Sequence, residues 1–315
     1  MIKNKFKLNG CIESPLDEND YVCKDIIPNN LIVPKNYKSK YNKVLHQGNV
    51  NSCVAHTCAN ITHITTYKEE NNFKDFSVGF VYGNRKNGYW QGEGMIQREA
   101  MKILKNNGIC EKEMFDYNIE VPRLYKIFND NINNSILSNA KNYRITSYYT
   151  LNNVNDVKKS LFLNGACTIG VKIKGEEFYH LNKENYILHN SKKGDKVHGG
   201  HCMTVIGYTE IDGKVYYIVL NSWGENWGNS GEFLIAHDNN MIFEMWGITD
   251  KYLPSNDGKW YLALNKKPIR SFKQTNGKPV RKVKQFYYIV EEFFTDKNKA
   301  EQYCKENNCK IYIDR

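Results

Sequence analysis

The apolar residues of this 315-residue chain recur at two different periods, and the change comes near position 165. Ahead of it, Val54, Cys58, Ile61 and Thr65 stand at helical spacing, with Asn51 or Ser52 available to cap a helix that starts at Cys53. Two further helical stretches, Met95–Asn107 and Asn155–Leu163, run up to Gly108 and Gly165, where glycine accepts the positive φ of a helix end. Beyond that point the runs are short and rich in β-branched and aromatic residues: ACTIGVKI (166–173), CMTVIGY (202–208), VYYIVLN (215–221) and EFLIAH (232–237). Helices first and strands second predict an α+β protein, a helical lobe packed on an antiparallel sheet lobe with a cleft between them.

At 36.7 kDa the chain suits two lobes or a domain with an appendage. With 41% hydrophobic and 13% aromatic residues it can bury a sizeable core, which excludes global disorder. No run of 18 apolar residues occurs, and MIKNKFKLNG carries charges where a signal peptide needs its apolar stretch. Neither a membrane span nor classical secretion is expected; intracellular or virion-associated surroundings fit better. Nine scattered cysteines, an odd number, also point to reducing surroundings.

The formal charge of +10 is uneven. Residues 255–315 hold 14 basic against 7 acidic residues, and from Lys259 to Lys284 there are nine basic residues and no acidic one. Pro268, Gly277 and Pro279 interrupt any helix there, so this stretch reads as a linker or arm. Such an arm can contact a polyanion through phosphates, or serve only as a solvated connector. FYYIVEEFF (286–294), a helical stretch around Lys297–Glu306 and KIYI (310–313) follow. That strand, helix and strand are too small to stand alone and should dock on the main body.

Cys53 is the candidate nucleophile. A thiol attacks a carbonyl as its thiolate, and the free N–H groups and dipole of a helix N-terminus favour negative charge there. His201, just before an apolar strand and so expected at a sheet edge, is a better base than His198 in the stretch KKGDKVHGG. Asn221, ending another strand, can orient the imidazole through its side-chain carbonyl, with Trp223 as a roof over that bond. Gln47 can donate to a developing oxyanion beside the Cys53 N–H. Cys202, next to His201, should face the opposite side of its strand, into the core.

The blocks HQGNVNSCVA (46–55), GGHCMTVIGY (199–208) and LNSWGENWGNSGEFLI (220–235), in this order and spacing, resemble the papain-like cysteine peptidases. GEGMIQREAMKILKNNGICEKEMFDY (92–117) is similar to the cleft-lining segment of that family, and GCIESPLDENDY (10–21) to the lead-in of its bacterial and viral-type members. The resemblance covers about residues 10–250. It implies a two-lobed fold with a helical left lobe and an antiparallel right lobe. It implies Cys53 as nucleophile, His201 as general base and acid, Asn221 as orienting residue and Gln47 as oxyanion donor. It also implies that Gly92, Glu93, Gly94 and Gly200 meet an extended polypeptide substrate. The expected organisation is a lead-in over 1–40 that can cover the cleft, a peptidase domain over 41–254, and a basic linker with a small appendage over 255–315.

Val50, Asn51 and Val54 depart from the secreted members, which have cysteine, glycine and an aromatic residue there, so the disulfide beside the nucleophile is not expected. The 52 residues ahead of Cys53 are fewer than the long inhibitory pro-segment of the lysosomal members. Cys53, His56 and Cys58 spread too far around a helix to converge on zinc, so neither metal nor cofactor is expected. His56, His63 and Trp227 read as core side chains. The expected activity is peptide-bond hydrolysis, as an endopeptidase, through a thiolate–imidazolium pair and a thioester. Acyl transfer by the same machinery, or a silent body that binds through its basic arm, are the alternatives.

Overall fold

The computed structural model describes residues 8–27, 31–85, 94–116, 130–249, 260–267, 280–283, 286–294 and 297–314. A short strand β1 (Cys11–Ile12) and a single helical turn α1 (Cys23–Ile26) lead in, followed by β2 (Tyr37–Lys38). The long helix α2 (Cys53–Glu70) comes next, then α3 (Val78–Gly83), β3 (Met95–Ile96) and α4 (Gln97–Asn106).

Every residue of α2 from Cys53 to Thr66 is buried, polar ones included. A helix enclosed on all sides must satisfy its polar side chains internally. Thr62 Oγ1 donates to Cys58 O at 2.9 Å, Thr65 Oγ1 to Asn164 O at 3.1 Å, and His63 Nδ1 pairs with Lys74 O at 2.7 Å. Asn71 ends the helix in the left-handed region, its N–H returning to Tyr67 O.

The second half supplies most of an eight-stranded sheet. Its strands are β4 (Ser147–Thr150), β5 (Cys167–Lys174), β6 (Ile187–Leu188), β7 (Val197–Ile211), β8 (Lys214–Leu220), β9 (Glu232–Ala236) and β10 (Ile242–Thr249). They lie in the order β4-β10-β5-β7-β8-β9-β6, with β2 also paired to β7. All neighbours are antiparallel except β6 and β9. The architecture is therefore α+β and two-lobed. One buried cluster gathers α2, Val81, Met101 and Leu104 on the helical side. The other gathers the sheet-lobe residues Phe178, Trp223, Trp227 and Phe233.

Three local expectations change. The helix expected from Met95 begins at Gln97, because Met95 and Ile96 instead form a strand beside β1. His201 does not precede its strand at a sheet edge. It lies inside β7, opposite Val171 of β5, since the glycines at 199 and 200 continue the strand rather than end it. The stretch read as a basic arm is partly sheet: Trp260–Asn265 and Val280–Val283 pair with Phe286–Phe294 and Cys309–Asp314 in four strands, and the remainder, 268–279, lies outside the described residues. A helix, Lys297–Glu306, buries Ala300 and Cys304 on this small sheet, and Leu264 joins the sheet-lobe cluster.

Phe233 is fully buried, 5.6 Å from the Phe178 ring and 5.7 Å from that of Trp227. Phe233→Ala should lower unfolding stability by about 3–5 kcal/mol in urea titration; a loss below about 1 kcal/mol would show that the aromatic cluster closes over the gap.

Candidate active site

Cys53 is the first residue of α2, behind Ser52 at the N-cap. Ser52 does not cap with its side chain; its Oγ lies 3.2 Å from His56 Nδ1 instead. The N–H groups of Cys53 and Val54 at this helix end favour negative charge on the sulfur, which accepts, at 3.4 Å, from Cys202 N–H. That last amide belongs to the residue after His201, so strand β7 carries the ring and touches the sulfur at consecutive positions.

Alternation along β7 separates the two side chains. Cys202 points into the helical-lobe cluster that holds Cys53. The His201 ring packs among sheet-lobe aromatics, 5.4 Å from Trp223 and edge-on to Phe178 at 5.8 Å. Its Nε2 lies 2.8 Å from Asn221 Oδ1. That oxygen also accepts from Ser222 N–H at 2.8 Å, so it can only accept, and His201 donates from Nε2. Nδ1 then carries the lone pair; it is buried and makes no hydrogen bond.

Gln47 is tied into the same frame. Its backbone N–H donates to Ser222 O at 2.9 Å, its Oε1 accepts from Ser222 Oγ at 2.6 Å, and its Nε2 donates to Val50 O at 2.9 Å. One N–H of that amide group remains for another acceptor. Ser222 thus connects the predicted oxyanion donor to the predicted orienting residue, a role that sequence reading passed over although Ser222 follows Asn221 directly. The structure joins His201, Asn221, Ser222 and Gln47 in one network. It does not hydrogen-bond Cys53 to His201.

The lead-in lies directly against the site. Met95 N–H donates to Gly10 O at 3.0 Å, and β1 runs parallel to β3. A Cβ at Gly10 would lie 2.6 Å from Cys53 Sγ and 2.9 Å from Asn51 O, so only glycine lets the chain pass this close. At Gly200 the same atom would stand 2.1 Å from Cys11 O. Gly94 is approached by Asn9 O and Ile12, while Gly92 and Glu93 lie outside the described residues. Farther along, Ser14 N–H reaches Glu244, and Arg98 binds Pro15 O and, at 2.5 Å, Asp20. Beneath Glu13–Leu16 a cavity of about 550 Å³ is walled by Arg98, Glu244 and Trp246.

Cys53 and His201 are both wholly buried. Burial pushes the thiol of Cys53 well up, outweighing the three amides that pull it down. Burial likewise lowers His201 to about 4, the Asn221 bond opposing it. In this covered arrangement burial disfavours the charged form of both groups, and for the thiol it outweighs the pull of the helix-end amides.

The sequence profile of the papain family cysteine proteases matches residues 30–253. The chain belongs to that family. A cysteine protease of Blomia tropicalis is 23% identical over 224 residues, 67% of this chain and 63% of that protein. Cysteine proteinase 3 of Dictyostelium discoideum is 29% identical over 216 residues, 64% of this chain and 58% of that protein. The chain thus spans about three-fifths of the length of these curated relatives. Among solved structures, xylellain, a cysteine protease from Xylella fastidiosa, superposes with a TM-score of 0.64 at 21% identity, covering 79% of this chain and 98% of that one. The proCathepsin B S9 of Trypanosoma congolense gives 0.60 at 16% identity, covering 77% and 86%. These likenesses show the two-lobed papain-like fold. Among the described residues no helix is long and apolar enough to cross a membrane.

Gly10→Ala should loosen the lead-in, and iodoacetamide should then label Cys53 at least about tenfold faster than in the wild type, one factor of ten being 1.4 kcal/mol of lost docking; an unchanged rate would mean that the contact does not limit access. His201 and His56 are both lowered from 6.5 to about 4 by burial. Below pH 6.5 the unfolded chain binds protons that the folded one refuses, so stability should fall as pH drops from 6.5 towards 4. Thermal unfolding across that window should show the decline, and it should be shallower in His56→Asn.

Proposed function

We propose that this chain is a cysteine peptidase that hydrolyses peptide bonds in polypeptides through an acyl-enzyme on Cys53, and that the lead-in around residues 8–20 holds it latent. The observation that carries the reading is the hydrogen-bonded frame of His201, Asn221, Ser222 and Gln47, set against the helix end that bears Cys53.

Withdrawal of the lead-in readmits water and removes the desolvation that keeps both groups neutral. His201 Nδ1, its lone pair directed by the Asn221 bond on the other nitrogen, takes the thiol proton. The sulfur attacks the carbonyl carbon. The spare N–H of Gln47 and the Cys53 amide receive the oxyanion, both held in place before substrate arrives. Collapse of the tetrahedral intermediate passes the proton from His201 to the leaving amine and leaves a thioester. A water deprotonated by His201 then attacks the thioester and restores the thiol. Trp223 and Phe178 keep bulk water from the His201–Asn221 bond and so preserve its strength.

Incubating a mixed peptide library with wild type, Cys53→Ala and Gln47→Ala tests the assignment. Wild type should cleave, and Gly10→Ala, with its loosened lead-in, should cleave faster. Cys53→Ala should not, and Gln47→Ala should lose about 10²–10³ in kcat, the usual effect of one oxyanion donor. Cleavage by Cys53→Ala at the wild-type rate would end the proposal.

A further inference from the structure

The mechanism uses one of three thiols that meet at the cleft. Cys11, Cys53 and Cys202 belong to one buried cluster but to three elements: the lead-in, α2 and β7. Cys11 crosses over Gly200, where its carbonyl oxygen and Cβ lie 2.1 Å and 3.7 Å from the point a Cβ would occupy. Residues two apart on a strand share a face, so the Cys202 side chain rises beside that crossing. Burial raises the Cys11 thiol, and the neighbouring Cys202 thiol adds to that rise. From the other side Gln97 Nε2 donates to Cys11 Sγ at 3.5 Å, fixing it over β7. The residue set against the nucleophile's sulfur is Gly10, while Cys11, its successor, lies over Gly200 on the face that Cys202 shares.

We infer that Cys11 and Cys202 are a thiol–disulfide pair, whose oxidation staples the lead-in across Cys53 and whose reduction releases it; this rests on the latency proposed above. The co-reactant is a low-molecular-weight disulfide of the glutathione type. Cys11, deprotonated during a transient opening of the lead-in, attacks one sulfur of the disulfide and expels one glutathione thiolate. The Cys202 thiolate then displaces the second glutathione. Two protein S–H bonds are lost and one S–S bond forms, while the glutathione disulfide takes up two electrons and two protons and becomes two thiols. Burial raises the Cys11 thiol, so it reacts only through that opening, and the exchange there quickens as pH rises. An excess of monothiol runs the sequence backwards and frees the segment.

The test uses the full chain with oxidised glutathione at pH 8, in wild type and Cys11→Ser. Peptides are mapped by mass spectrometry without reduction, and iodoacetamide labelling of Cys53 is timed in parallel. In wild type, a Cys11–Cys202 linked peptide should form and disappear with reductant, and Cys53 labelling should slow at least tenfold on oxidation. In Cys11→Ser the oxidant should leave the labelling rate unchanged. Cys11 found joined to Cys53, carrying glutathione as the end product, or still a thiol would overturn the inference, as would slowing that persists in Cys11→Ser. Neither readout needs peptide cleavage, so a negative result here leaves the proposed hydrolysis standing, and absent cleavage leaves the disulfide result interpretable.

Discussion

The meeting of one helix end with the middle of one strand organises the molecule. Cys53 can present its sulfur to the Cys202 amide only because α2 is enclosed by both lobes and β7 runs through the centre of the sheet. The same strand sends His201 to the aromatic cluster of the sheet lobe and Cys202 to the helical lobe, so the boundary between the two cores passes between consecutive residues. Shifting β7 by one residue would exchange these faces and dismantle the site.

Burial and reactivity oppose each other at this boundary. The helix terminus and its amides favour a thiolate, whereas burial disfavours any charge. With the lead-in packed against the sulfur the second effect prevails and favours the neutral forms of thiol and ring. A charged pair there would have to be stabilised by a close bond between thiol and ring, which the covered arrangement does not form.

Much of the fold was legible in the order of patterns along the chain. The strand runs after position 165 are continuous and apolar because they lie in a sheet covered by core, and the helical spacing from Val54 to Thr65 marks a buried helix correctly to its first residue. Partnerships made between distant segments were not legible. Met95 and Ile96 have the composition of a helix start and become a strand only because Cys11 and Ile12 lie alongside. Basic residues at 281 and 282 suggested a linker or arm, yet they sit in a strand paired with Phe286–Phe294. At the site, residue types pointed to Cys53, His201, Asn221 and Gln47. The position of Ser222 between two of them depends on side-chain directions that no spacing rule encodes. The close cover over the Cys53 sulfur likewise depends on Gly10, more than forty residues away in the chain.

Asn221 Oδ1 holds two donors at once, the imidazole and the amide of its own successor. An amide group gripped in this way cannot turn over without stranding a buried N–H, so the tautomer of His201 is set by the backbone itself. The ring's lone pair is fixed on the nitrogen that faces away from Asn221 before any peptide arrives, and displacing the lead-in need not reset it.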